Sequence, residues 1–415
     1  MMWRSRPALM PCRRAERKYM NVVIAAMSAP THMNGVSRHG ANLARALLSN
    51  AGTSEIHFVA GAWQKEMFRN ALGACDPRLH VHWIPLRDAN LSRLFWYYRE
   101  LPCIAAQLEA DIVHLTFPAP TPLAAYPCPT VLSLHDLYPF DIPRNFGRLK
   151  SALARHTIAQ CVRRVDAVTC VSSATLTDFT QRFPEMAHKA LVIPNVVEFR
   201  VPAILTGNLE PLKGRSFILC VAQHRSNKNI PLAIKVFERL LAEKILPSGA
   251  RMVIVGIPGP ETQKIEAEIR NARLSRRVLL FSGLSDAELR WCYENCQTLL
   301  APSSMEGFGL PIAEALLAGA RVVCSDIPAF RELGGDACHF VAKTDDPLSA
   351  YVGAVRDALA AASPRTPSPL QLSAASVGTR YIHLYSEIAS SSPIEANRPW
   401  QRFRTAQKPA GIRAK

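Results

Sequence analysis

Two glutamates, Glu306 and Glu314, bracket the run Gly307-Phe308-Gly309-Leu310-Pro311 within residues 303–319. Two glycines, a proline and then an apolar stretch with Ala-Leu spacing read as a loop turning into a helix, with Pro311 at its first position. A helix start leaves backbone N–H groups unpaired and carries partial positive charge, so the segment from Gly307 to Ala313 can hold an anion. Gly307 and Gly309 would let the backbone come close to it. A carboxylate beside an anion is unfavourable unless it binds hydroxyls, and a sugar attached to a diphosphate satisfies both groups.

Elements that could position such a site alternate along the chain. Short apolar segments at residues 21–27, 56–60, 81–84, 112–115, 131–134, 167–171 and 190–193, and again at 217–222, 252–256, 278–281 and 321–325, are separated by helical patterns. That rhythm predicts βα units and parallel sheets, and 415 residues exceed one ordinary core, which gives two domains. Open α/β sheets bind ligands at the C-terminal ends of their strands. Three such ends carry useful chemistry: the loop 31–38 with Asn34-Gly35-Val36-Ser37-Arg38, the strand end His135-Asp136, and the loop 223–229 with Arg225 and Lys228. Gly35 permits a tight approach, and Asn34 beside it tolerates positive φ. Asp136 is assigned to capping a loop or helix.

At these residues the chain resembles the family 4 glycosyltransferases, whose C-terminal "glycosyl transferases group 1" domain carries two glutamates in an E-G-F-G-L-P-x-x-E context. Glu306, Gly307, Phe308, Gly309, Leu310 and Glu314 all match it. The pattern is closest to mannosyltransferase-like members of bacterial envelope-polysaccharide synthesis. The resemblance implies an α/β GT-B fold, two Rossmann-like domains with parallel sheets facing a cleft. It gives residues 20–200 as the acceptor-side domain, 201–216 as hinge, 217–375 as the nucleotide-sugar domain, and 376–390 as a helix packing back on the first domain. By the same resemblance Glu306 orients the donor sugar, Glu314 takes the ribose hydroxyls, and His135 lies beside the transferred sugar. Arg225 and Lys228 clamp the diphosphate, with Gln223 standing where an arginine is often found. Backbone groups near Gly283 and Leu284 read the nucleobase, and Gly35 contacts donor phosphate or acceptor.

The resemblance implies retention of anomeric configuration and a nucleotide-diphosphate sugar as co-substrate, with no cofactor. Many transferases hold Mg²⁺ with an Asp-x-Asp, which this sequence lacks; Arg225, Lys228 and the helix start at Leu310 are fixed charges and dipoles able to stabilise the leaving diphosphate instead. Metal-independent catalysis is therefore expected. A nucleotide-sugar 2-epimerase uses a related fold and stays open as the alternative, whereas a dinucleotide-dependent dehydrogenase is disfavoured because no Gly-x-Gly-x-x-Gly follows the first strand.

A net charge of +16 would suggest nucleic acid until it is located. Residues 1–20 and residues 391–415 each carry six Arg or Lys against one Glu. The excess belongs to a basic leader, 1–19, and a basic tail, 391–415, both expected to be disordered, and nucleic acid is not expected as a partner. Such tails can also touch anionic lipid. Residues 91–101, with Phe95, Trp96, Tyr97, Tyr98, Arg93 and Arg99, are read as a packed helix before an interfacial one. No apolar run reaches the length of about 18 residues that spans a bilayer. His80 and His82 share a strand face with no third metal ligand near in sequence, and the eleven cysteines form no Cys-x-x-Cys pair. The cysteine usage fits a reducing cytoplasm, and the tails, the aromatic helix and the resemblance together imply a glycan or polyprenyl-linked acceptor at the inner membrane face.

Overall fold

Strands rich in Val, Ile and Leu that are buried on both faces require helices on both sides, and this is the layering found. The computed structural model describes residues 20–73, 76–86, 90–122, 126–145, 147–361 and 372–391. The leader 1–19, the Pro-rich break at 363–369 and the tail from 392 onward lie outside them.

The first sheet contains β1 (Met20–Ala25), β2 (Thr53–Gly61), β3 (Leu79–Ile84), β4 (Ile112–Leu115), β5 (Thr130–Leu134), β6 (Ala167–Cys170) and β7 (Ala190–Val192). Its order is β3-β2-β1-β4-β5-β6-β7. All neighbours are parallel; in register, Val22 of β1 lies opposite Ile56 on one side and Ile112 on the other. The second sheet contains β8 (Phe217–Val221), β9 (Arg251–Val255), β10 (Val278–Phe281), β11 (Thr298–Ala301), β12 (Val322–Ser325) and β13 (His339–Val341), in the order β10-β9-β8-β11-β12-β13 and again parallel. In both sheets the order reverses beside the first strand, at β1/β4 and at β8/β11, which opens a crevice at the strand C-termini.

Four of the apolar clusters divide between the sheets, two on the faces of each. A fifth joins them: Val171 and Val197 from the first half pack on Phe308 and Ala313 from the second. The connection is less loose than its composition indicates, since Leu209 and Leu212 are buried in the core of the second sheet. After the second sheet the chain returns as the helix Ala374–Ser391, which packs on the first-half helix Gly35–Leu48; a Cβ at Gly378 would stand only 2.0 Å from the Ala46 carbonyl oxygen.

The aromatic stretch is a helix with a π-helical turn at Trp96–Glu100. Trp96 and Tyr97 are buried, and the Tyr97 hydroxyl donates to the Met27 carbonyl at 2.9 Å, while Leu91, Phe95 and Tyr98 are exposed. His80 and His82 do find a third histidine: His57 stacks on His80 and lies 3.1 Å from His82. Among the described residues no group of three side chains is arranged to hold a metal ion, and no helix is long and apolar enough to cross a membrane.

Candidate active site

The helix Leu310–Leu317 begins one residue before Pro311, directly after Gly309, whose φ of +108° is left-handed. Any side chain there would be strained, and a Cβ would also press on Phe330 at 2.9 Å. Glu306 stands just ahead of this turn. Lys228, from the short turn Ser226–Lys228 after β8, brings its Nζ to both Glu306 oxygens at 2.5 and 2.6 Å. The pair is largely shielded from solvent, with side chains 18% and 11% exposed. From the other sheet, the Tyr138 hydroxyl donates toward Glu306 Oε2 at 3.3 Å and the Met305 carbonyl at 3.2 Å.

Gly307 also serves a close approach between the halves: a Cβ would come within 1.8 Å of the His135 carbonyl oxygen. Its own carbonyl accepts from Ser172 Oγ at 2.5 Å and Thr175 Oγ1 at 3.0 Å, at the start of the helix Ser173–Arg182. Glu332 completes the contact by accepting the Ser173 N–H at 2.8 and 3.0 Å. Phe308 likewise turns into the apolar cluster between the halves and is 7% exposed, and Leu310 packs against the same cluster.

His135 follows β5 at the crevice. Its Nε2 donates to the Thr116 carbonyl at 2.9 Å, and its ring meets His39 edge-on at 4.7 Å. Burial pushes its pKa down to about 4, opposed by the Thr116 bond, so the ring is neutral at pH 7 with the proton on Nε2. Asp136 accepts the Tyr138 N–H at 3.0 Å in a turn, the capping role read from sequence. Burial raises its pKa to about 6 against the opposing pull of Tyr138 N–H, Arg225 and Lys228. Arg225, in an extended conformation, opens the turn that ends in Lys228.

Glu314 occupies the other side of its helix, where the Tyr293 hydroxyl donates to Oε2 at 2.8 Å. Burial raises its pKa, with Arg38 and the Tyr293 hydroxyl opposing. Gly283 and Leu284 immediately precede Ser285, which caps the helix Asp286–Asn295 in a reciprocal box with Glu288. Gly35 is the first residue of the helix Gly35–Leu48, and a Cβ on it would meet Leu310 Cδ1 at 3.9 Å. Asn34 is not in a left-handed turn: its φ is −129°, and its side chain caps the helix by accepting the Ser37 N–H at 2.9 Å.

Glu306, Lys228 and Leu310 are thus gathered on one wall with His135 and Gly35 opposite, and Glu314 lines the space farther along with Arg38, Asp286 and Tyr293, whereas Gly283 and Leu284 are not among the residues that line it. Tyr138, Ser172, Thr175 and Tyr293 were missed. Tyr138 had a signal, since it stands two residues after the His-Asp strand end; Ser172 and Thr175 belong to a helix start of the first half and reach Gly307 only across the cleft, and Tyr293 meets Glu314 through the fold of the second half.

Residues 33–200 match the family described as Glycosyltransferase Family 4, and residues 207–363 match Glycosyl transferases group 1. The serotype-specific mannosyltransferase WbdA of Escherichia coli is 26% identical over 341 residues, 73% of this chain and 39% of the relative. The O-antigen chain mannosyltransferase RfbU of Salmonella typhimurium is 24% identical over 52% of this chain and 57% of its own length. The chain therefore spans less than two thirds of either relative. In fold it is similar to WaaG, a glycosyltransferase involved in lipopolysaccharide biosynthesis, with a TM-score of 0.61 and 17% identity over 89% of this chain and 97% of that one. One family accounts for both sheets and for the cleft between them: the chain belongs to the family 4 glycosyltransferases.

Proposed function

We propose that this chain transfers a mannosyl or related hexosyl group from a nucleotide-diphosphate sugar to a glycan or lipid-linked glycan acceptor in envelope polysaccharide synthesis, with retention and without a metal. The observation that carries the reading is the Lys228–Glu306 pair at the start of the Leu310–Leu317 helix. An incoming diphosphate offers Lys228 a stronger partner than Glu306. Lys228 then holds the phosphate together with Arg225 and the helix N-terminus, and Glu306 is released to accept sugar hydroxyls.

In the transfer, the bond between the anomeric carbon and the diphosphate oxygen breaks, and the acceptor hydroxyl oxygen bonds to the same face. Its proton goes to the departing phosphate. Charge grows on the leaving diphosphate, where Lys228 and the helix dipole are already aimed, so little reorganisation is needed. His135, committed through Nε2 to Thr116, keeps Nδ1 as an acceptor for a sugar hydroxyl. Glu314 and Tyr293 take the ribose. The mannosyltransferase relatives support transfer over epimerisation, which would convert the nucleotide sugar with no acceptor.

A membrane-bound acceptor is supported by Leu91 and Phe95 on one helix and Leu149 and Leu153 on another, all exposed. The second helix, Arg148–Arg164, carries five cations and no acidic residue, a surface suited to anionic lipid. Incubation with nucleotide sugars and a polyprenyl-diphosphate glycan in EDTA, followed by NMR of the product linkage, tests the reading. Retained α-linkage formation supports it; conversion of the nucleotide sugar without acceptor, or dependence on added Mg²⁺, overturns it.

A further inference from the structure

Glu306 has a partner that its own motif does not announce. Tyr138 opens the short helical turn Tyr138–Asp141 of the first domain and is buried. Its hydroxyl crosses to the second domain, 3.3 Å from Glu306 Oε2 and 3.2 Å from the Met305 carbonyl. Its backbone N–H donates to Asp136 Oδ1 at 3.0 Å, which ties the ring to the strand end that also presents His135.

One hydroxyl hydrogen faces two acceptors here, and sharing it accounts for two long contacts in place of one short bond. The two acceptors are not equivalent. The Met305 carbonyl also accepts from Asn227 Nδ2 at 3.2 Å, whereas Glu306 is held by Lys228 at 2.5 and 2.6 Å. Once a diphosphate draws Lys228 away, the Glu306 carboxylate becomes the stronger acceptor, because a bond from a hydroxyl to an anion is charge-assisted and closes to about 2.5–2.7 Å. The phenol is able to serve throughout as a donor. Burial, reinforced by the charges of Glu306 and Asp136, holds its pKa well above the ordinary value of 10.

We infer that Tyr138 is a positioning residue for the transfer: its hydroxyl takes over Glu306 as Lys228 turns to the diphosphate, and so fixes the carboxylate for the sugar hydroxyls. The inference rests on the transferase reading above. Oε2 is then committed to the phenol, and Oε1 is open to the sugar. Because Tyr138 and Glu306 belong to different domains, the hand-over operates only while the domains are together. Orientation of the donor sugar is thereby linked to closure, when water is excluded, and loss of the sugar to water is suppressed.

The test uses the full chain as wild type, Tyr138→Phe, Glu306→Ala and the double variant. The donor is whichever of a panel of GDP-, UDP-, ADP- and dTDP-sugars wild type transfers to a polyprenyl-diphosphate glycan, and the matching free nucleoside diphosphate is titrated by calorimetry. Tyr138→Phe keeps the buried ring and removes only the hydroxyl. Its kcat falls about tenfold, the free nucleoside diphosphate binds within about twofold of wild type, and the ratio of donor hydrolysis to transfer rises. In single-turnover transfer, Tyr138→Phe costs less than about twofold once Glu306 is already Ala, since the two residues act as one unit. A kcat within about twofold of wild type, a loss that persists in full beside Glu306→Ala, or an equal weakening of the free nucleoside diphosphate overturns the positioning role and leaves the transferase reading standing. If wild type transfers from no donor in the panel, the transferase reading falls and this inference with it.

Discussion

The carbonyl oxygen of His135 stands 1.8 Å from the point where a Cβ on Gly307 would be, so the glutamate loop of one domain and the histidine strand end of the other meet without room for a methyl group. Side chains of Ser172 and Thr175 then close on the Gly307 carbonyl. The contact brings together the Glu306 wall and the His135 wall.

Gly307→Ala is therefore expected to leave both domains folded while holding them apart. Transfer should fall more than tenfold, with an unchanged far-ultraviolet circular dichroism spectrum. Full activity in this variant would mean that the closed arrangement is not the working one.

Lys228 is placed to meet charge that develops on the leaving group. Removing one such donor typically costs about 10²–10³ in kcat. Lys228→Ala should show a loss of that order in single-turnover transfer, and a change below about threefold would remove it from the mechanism.

Glu332 accepts the first N–H of the helix Ser173–Arg182 of the opposite domain. A carboxylate at a helix start contributes about 0.3–1 kcal/mol. Because this contact joins the two halves while Ser172 caps the same helix from within the first, Glu332→Ala should raise the apparent KM several-fold with little effect on the melting temperature of the first domain. A rise confined to thermal stability would make the contact structural only.

Buried imidazoles set the pH dependence of stability. His39 bonds Asn195 and Ser133, and Ser133 in turn bonds His114, whose other nitrogen lies 2.6 Å from the Tyr385 hydroxyl on the last helix. Burial pushes His114 down to about 3 and His135 to about 4, and His39 well below its ordinary value of 6.5. The unfolded chain thus binds more protons than the native one below pH 6.5, so this contribution is complete above that value and is lost as pH falls toward 4. Melting temperature should drop markedly between pH 7.5 and pH 5; a flat profile would contradict these assignments.

The two sheets were legible because each strand is a short apolar run between helical patterns, and eleven predicted segments fall on strands β1 to β10 and β12 with ends shifted by no more than three residues. β13 was not: His339–Val341 has three residues and follows a short turn, too little for periodicity. The chemistry of Glu306, Glu314 and Lys228 was legible because it is written in local motifs. What the residues of the motif touch was not. Gly307 serves domain contact, Phe308 serves packing and Asn34 serves a helix cap, and each depends on partners that folding brings from elsewhere. The Arg38–Asp286 pair, 248 positions apart, has no local signature at all.

The central claim, that the loop at Glu306 and Lys228 holds the diphosphate of a nucleotide sugar, is tested most directly by calorimetry with nucleotide-diphosphate sugars in EDTA on wild type and Lys228→Ala. The account requires at least one of them to bind the wild type without metal and to bind the variant about tenfold or more weakly. Equal binding to both proteins, or binding only when Mg²⁺ is added, would contradict it.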